Sequence, residues 1–216
     1  VIFLKKKDIA ITAVKILKSV YPDAICSLNY SDAFQLLVAT RLSAQCTDAR
    51  VNIVTPNLFK KYPTAEKMAS AKISDVENLI HSCGLYKTKA KDLVTLSNQI
   101  MDNFDGKVPD SIEKLTTLSG IGRKTANLIM GDVYKKPAIV TDTHLIRISN
   151  RLGLVDTTNP LKVEKELVKL IAPEESSDFC HRTVLFGRDT CKAPNPLCDD
   201  CPLNNICKKN FKKRSK

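Results

Sequence analysis

Lys124 and Asp142 are the side chains of this sequence best placed to do chemistry, and both lie in one stretch, LSGIGRKTANLIMGDVYKKPAIVTDTH, from Leu118 to His144. Gly120 and Gly122 flank Ile121 between two helical patterns. Glycines so close together let the backbone turn tightly and bring bare N–H groups up to a ligand. A helix opening at about Arg123 points its unpaired N–H groups and the positive end of its dipole the same way, and a phosphate fits such a place. Lys124 falls in the first turn of that helix, where the dipole works against the ammonium form, and a neutral lysine is a nucleophile. Asp142 follows the apolar run Ala138-Ile139-Val140 and precedes Leu145-Ile146, so it reads as the N-cap or first turn of another helix. Taken singly, these features have ordinary structural readings: a turn, a solvated lysine and a cap.

A second constellation is Cys191-x6-Cys198-x2-Cys201-x5-Cys207. Four thiols in so short a span of a chain read as cytosolic point to metal or cluster ligands rather than disulfides. Spacing alone leaves zinc and an iron–sulfur cluster equally open. The other cysteines, Cys26, Cys46, Cys83 and Cys180, share no such spacing and read as small buried residues. His81, His144 and His181 form no His–Glu pattern of the hydrolytic zinc or two-metal nuclease kind. His144, two residues after Asp142, is near enough in sequence to contact the site, though on spacing alone it reads first as a structural hydrogen-bonding group.

The elements that must position these groups are helices, and the chain reads as all-α. From Ala10, the positions Ala13, Val14, Leu17 and Val20 keep a helical period until Pro22. Ser31 or Asp32 caps a strongly apolar helix through Phe34, Leu37, Val38 and Leu42. Pro56 predicts a kink or break in the segment from Thr47 to Tyr62. Ser74 and Glu77 form a capping box ahead of Val76, Leu79, Ile80 and Cys83, with Gly84 as the stop. Another helix runs through Ala90, Leu93, Val94, Ile100, Met101 and Phe104 to Gly106. Pro109-Asp110 starts the first helix of the hairpin unit, with Ile112, Leu115 and Leu118 on one face. Ala126, Ile129, Met130 and Val133 give the second helix its stripe, leaving Lys124 and Asn127 to look outward.

At 216 residues the chain supports one or two domains with a proper core. Hydrophobic residues make up 43%, yet no apolar run approaches the ~18 residues of a membrane span. The start, Val1 to Lys7, has too short an apolar part for a secretory signal, and a cytoplasmic location is expected. A net charge of +11 suggests an acidic partner, most simply nucleic acid. Six of those charges lie in the tail Lys208 to Lys216, which has no acidic residue, so the rest carries +5. Such a tail adds salt-sensitive attraction to DNA.

The run L-x-G-x-G-R-K-T-A-N followed by V-T-D-T-H resembles the helix-hairpin-helix and catalytic region of the endonuclease III family of DNA glycosylases. Leu42-Ser43-Ala44-Gln45-Cys46-Thr47-Asp48 and Gly84-Leu85-Tyr86, otherwise ordinary helix-end loops, match two further family motifs. The likeness extends from about Phe34 to Cys207 with its motifs in order. It implies that the hairpin of Gly120, Ile121 and Gly122 holds a DNA phosphate, that Lys124 attacks the sugar, and that Asp142 assists. Gln45 would enter the duplex where the damaged nucleotide leaves, and Leu85 would wedge beside the orphaned base. An inserted amide and an apolar wedge offset the cost of an unstacked hole. Cys191, Cys198, Cys201 and Cys207 would hold a [4Fe-4S] cluster.

The resemblance also implies two helical domains, residues 26–136 and residues 1–25 with 137–216, with Lys124 and Asp142 facing each other across a cleft. The activity implied is that of a monomeric, nucleoid-associated base-excision repair enzyme acting on double-stranded DNA. It would remove oxidised pyrimidines and break the abasic strand by β-elimination. Arg41 departs from the apolar residue usual before LSAQ, and Lys192 is the one basic residue between the first two cysteines, a loop that is basic in the family. A related glycosylase with another target and a DNA-binding scaffold without chemistry are the alternatives. The presence of both Lys124 and Asp142 counts against the scaffold, and Lys124 against a glycosylase that only releases the base.

Overall fold

The first helical period becomes α1 (Lys6–Val20), which buries Ile9, Ala10, Ala13 and Leu17 along one face. The structure, a computed structural model, describes residues 5–211, so the first residues of the chain and the end of the basic tail lie outside the described part. Among the described residues there is no strand. The chain divides into two compact units, one formed by Cys26–Lys135 and the other by the segments before and after it.

The first of these begins with α2 (Ala33–Ser43). Asp32, not Ser31, is its cap, accepting the Gln35 N–H at 2.9 Å. Phe34, Leu36, Leu37, Val38, Ala39 and Leu42 are all buried, so α2 is the core helix of this unit. In α3 (Asp48–Lys61), capped by Thr47, the helix runs through Pro56 without a break. The expected break is absent for a tertiary reason. Val51, Val54, Thr55 and Leu58 are buried on both sides of the proline, and that burial outweighs the roughly 3 kcal/mol cost of an interior proline.

Short α4 (Ala65–Ala69) is followed by α5 (Ile73–Ile80), both packed on the long α6 (Tyr86–Phe104). The capping box expected from Ser74 and Glu77 is absent. Lys72 is the N-cap, and its carbonyl accepts from Asp75 and Val76, so Ser74 already lies inside the first turn. The first hairpin helix also starts later than Pro109-Asp110. It is a single turn, α7 (Ile112–Leu115), capped by Ser111. In α8 (Arg123–Asp132) Asn127 is 2% exposed, and the outward position expected for it is corrected. A helix pressed on its neighbours buries more than its apolar stripe.

The other unit combines α1 with α9 (Thr143–Leu152), α10 (Pro160–Leu167), a 3-10 turn at Pro173–Glu175 and α11 (Ser176–Asp189). α11 packs on both α1 and α9, burying Phe179 and Phe186. The Arg182 guanidinium, 3% exposed, is held by Glu175 and Asp178 at 2.9 Å each. Lys18 from α1 reaches the other oxygen of Glu175 and, with Arg182, holds that carboxyl below its ordinary range. Beyond α11 the four-cysteine segment is built of turns. No helix of the described residues is long and apolar enough to cross a membrane.

Candidate nucleic-acid interface

The hairpin between α7 and α8 leaves its donors bare. Gly120 sits in the left-handed region at φ 73, and Gly122 is the extended N-cap of α8 with no side-chain cap. Their N–H groups have no hydrogen-bond partner among the described residues. The first-turn N–H groups of α8 project beside them. Ile121 does a different job, since its N–H donates to the Leu118 carbonyl at 3.1 Å and its side chain is 6% exposed. The turn is pinned by Ile121 and its open donors come from the glycines. Lys124, in the first turn of α8, is exposed. An anion is the ligand such a concentration of donors and dipole favours.

The two motif loops of the same unit converge. Gln45, just past α2, has φ 53 and Leu85, just before α6, has φ 59, a left-handed conformation that non-glycine residues adopt at a cost. A Cβ on Gly84 would stand 3.3 Å from the Gln45 carbonyl, so the loops abut. Gln45 is exposed and Leu85 is 57% exposed, an apolar side chain held out on a strained backbone. Beneath them Lys89, 0% exposed, donates from Nζ to the Leu42 carbonyl at 2.7 Å, closing the C-terminal end of α2. Burial pushes the Lys89 ammonium below its ordinary value and pushes the Cys83 thiol up to about 11. Cys83 and Cys180 are buried as expected, whereas Cys26 and Cys46 are half-buried.

In the other unit Asp142 is the N-cap of α9, its Oδ1 accepting the Leu145 N–H at 2.7 Å. Half-buried, it keeps Oδ2 outside the cap, so one carboxylate serves the helix and has a second oxygen to offer. His144 Nδ1 lies 3.1 Å from Arg147 Nη2, the structural kind of contact its position suggested.

The cysteine segment is organised by two arginines that sequence reasoning passed over. Arg147 donates to the carbonyls of Cys191 and Gly187, and Arg151 donates to those of Cys191, Lys192 and Ala193. Arg151 Nη1 also reaches Cys191 Sγ at 3.2 Å, and its guanidinium stacks 5.0 Å from the Phe211 ring centre. Their i, i+4 spacing on the helix that Asp142 caps was the available signal. Cys191, Cys198, Cys201 and Cys207 all line one cavity, with Leu152, Phe186 and Leu203 among its apolar walls. Burial pushes the Cys201 and Cys207 thiols up. Among the described residues, no three His, Cys, Asp or Glu side chains are gathered tightly enough for a single metal ion.

Comparison with known proteins agrees along the chain. Residues 38–173 match the model of the HhH-GPD superfamily base excision DNA repair protein. The chain is 46% identical over 203 residues to Endonuclease III of Synechocystis sp., covering 94% of this chain and 93% of that protein. It is 42% identical to Endonuclease III of Bacillus subtilis over 197 residues, 91% of this chain and 90% of the relative. A solved structure of a trapped Endonuclease III–DNA covalent intermediate superposes with TM-score 0.89 at 41% identity, covering 96% of this chain and 98% of that one. A thermostable thymine-DNA glycosylase, 20% identical, shares the fold with TM-score 0.84, covering 94% of this chain and 96% of that one.

Proposed function

The chain belongs to the HhH-GPD superfamily of base excision DNA repair proteins, and on that premise we propose that it is a bifunctional DNA glycosylase and abasic-site lyase. Its substrate is double-stranded DNA carrying damaged bases, with oxidised pyrimidines as the lesion class, and it works as a monomer. The observation that carries this reading is Lys124, an exposed amine in the first turn of α8 directly behind a hairpin whose donors are bare. The relative trapped covalently on DNA, 41% identical over nearly the whole chain, supports it.

Recognition begins when the damaged nucleotide leaves the stack, the N–H groups of Gly120 and Gly122 holding a phosphate of its strand. Gln45 fills the space the nucleotide vacates and Leu85 stacks against the orphaned base, as their exposure on abutting loops suits them to do. Lys124 Nζ then attacks C1′ of the deoxyribose as the bond to the base breaks, and the base leaves with its electron pair and takes up a proton. Asp142, through the oxygen left outside its cap, stabilises the cationic sugar or accepts a proton. The nitrogen loses a proton and its electron pair opens the C1′–O4′ bond, O4′ taking up a proton, and the Schiff base so formed makes the C2′ proton acidic. Loss of that proton expels the 3′ phosphate and breaks the strand.

Cys191, Cys198, Cys201 and Cys207 are the residues that would hold a [4Fe-4S] cluster. The donor set fits, because the four cysteines line one cavity with apolar walls and four thiolates are the ligand set such a cluster takes. When bound, the cluster would supply a rigid cross-link among four points of the loop, which Arg147 and Arg151 tie to α9, and the sugar chemistry requires no electron from it.

Borohydride trapping on a duplex with one oxidised pyrimidine tests the assignment. Wild-type protein is expected to give a covalent adduct, and Lys124→Ala to lose it by at least about a thousandfold while binding within about threefold of wild type, since the phosphate grip is backbone. Normal nicking of abasic DNA by Lys124→Ala would overturn the assignment. An adduct with an intact base but none with an oxidised one would reject the lesion class.

A further inference from the structure

One face of α6 carries a polar stripe that the proposed chemistry does not use. Lys89, Asp92 and Gln99 follow Leu85 at spacings of four, seven and fourteen residues, which keep them on one side of a helix. Lys89 closes the end of α2 just ahead of Gln45. Gln99 accepts the Ser119 N–H at 2.7 Å and donates to the Thr117 carbonyl at 3.4 Å. Asp92 sits between them and uses both oxygens. Its Oδ1 accepts the Ser119 hydroxyl at 2.9 Å, and its Oδ2 accepts Arg41 Nε at 2.9 Å as well as Arg41 Nη2.

Arg41 and Asp92 are largely withdrawn from water, with side chains 12% and 17% exposed. Their pair lies directly under the hairpin, where a Cβ on Gly120 would come within 2.4 Å of Arg41 Nε and 3.0 Å of Asp92 Oδ2. The pair therefore sets how deeply Gly120 can sit. Arg41 also belongs to α2, the helix that ends in the Gln45 loop. A single carboxylate thus joins three segments, α2 through Arg41, α6 on which Leu85 stands, and the hairpin through Ser119.

We infer that Asp92 is a positioning residue, which through Arg41 and Ser119 holds the phosphate-gripping hairpin at a fixed offset from the loops that carry Gln45 and Leu85. This rests on the reading that the hairpin holds a DNA phosphate. The grip and the wedge are then one rigid gauge. Each phosphate contact presents the duplex to Gln45 and Leu85 at one register. Without the carboxylate, Arg41 is left as a part-buried charge lacking its partner, and the hairpin keeps Gln99 but loses its second tie to α6.

The test is a phosphate scan. Full-length protein is titrated with a duplex carrying a tetrahydrofuran abasic analogue, in which one phosphate at a time is replaced by a neutral methylphosphonate. Wild type is expected to lose about tenfold in affinity at one phosphate, a charge-assisted contact. Asp92→Ala is expected to bind about tenfold more weakly overall, with the same replacement now costing less than about threefold, the non-additivity of groups in one network. On a cleavable duplex its KM should rise more than its kcat falls. Ser119→Ala, which removes a single bond, should show the same non-additivity in smaller measure and stands in if Asp92→Ala does not fold. An undiminished tenfold loss at that phosphate in either variant would overturn the inference and leave the hairpin reading intact. A wild-type scan without a sensitive phosphate would overturn that reading and the inference with it.

Discussion

The hairpin that presents Lys124 and the segment that carries the four cysteines are both irregular stretches beside helices, and they are held in opposite ways. The hairpin is supported from behind by side chains of α6 and α2, so the N–H groups of Gly120 and Gly122 stay open. The cysteine segment turns its carbonyls toward Arg147 and Arg151, and its thiols toward a cavity of its own. The difference follows from what each is proposed to bind. A backbone grip on an anion needs bare donors, which helices behind it can leave free. A thiolate site needs its ligands fixed inward, and its acceptors must be satisfied by donors from elsewhere in the chain. On the proposed function the hairpin is complete as protein, while the cysteine segment would take its final stability from the cluster proposed for its thiols.

The sharpest way to break this contrast is to remove one thiol. Cys201→Ser is expected to lose the brown absorbance of the cluster and on the order of 3 kcal/mol of stability, the scale of a lost covalent or metal staple. Calorimetry and the visible spectrum read both, and a variant that keeps its colour and its melting midpoint would remove the distinction between the regions. A smaller effect separates the two glycines of the hairpin. Gly120→Ala puts a Cβ against Arg41 at a left-handed φ and should cost roughly 1–3 kcal/mol and about tenfold in affinity for abasic-analogue DNA. Gly122→Ala, whose Cβ would meet nothing within 4 Å, should change stability by less than about 0.5 kcal/mol. Equal costs at the two positions would show that the support from behind does not set the turn.

The smallest effect lies in the unit of the cysteines. The Glu175 carboxyl is held below its ordinary value of about 4.5, first by Lys18 and also by Arg182. The unfolded chain therefore takes up this proton at a higher pH than the folded one. The associated stability is fully present above about pH 4.5 and is lost as pH falls through the folded value. Glu175→Gln should flatten the acid limb of the stability profile slightly, and an unaltered limb in calorimetry across that range would remove Glu175 from the account.

Much of the architecture was legible from local pattern. The all-helical class, the cap at Asp32, the glycine turn, the place of Lys124 and the Asp142 cap all depend on residues within a few positions of one another. Asn127, Pro56 and Ser74 show where that range ends. Asn127 is buried because α8 is pressed on its neighbours, not because its type fits an apolar stripe. Pro56 stays helical because the residues around it are buried. Ser74 lost the cap to a turn beginning at Lys72, a shift of two residues that periodicity does not resolve.

By itself the sequence determined the groups for which chemistry is proposed, one amine at a helix mouth, one capping carboxylate and four spaced thiols, because residue type and short spacing are local properties. Only the tertiary structure decided what supports that chemistry. Arg41 meets Asp92 across 51 residues, Asp92 meets Ser119 across 27, and Arg147 and Arg151 meet the cysteine segment across about 40. Buried polar groups must find partners wherever the packed helices bring them, and no local rule of the chain specifies those partners in advance.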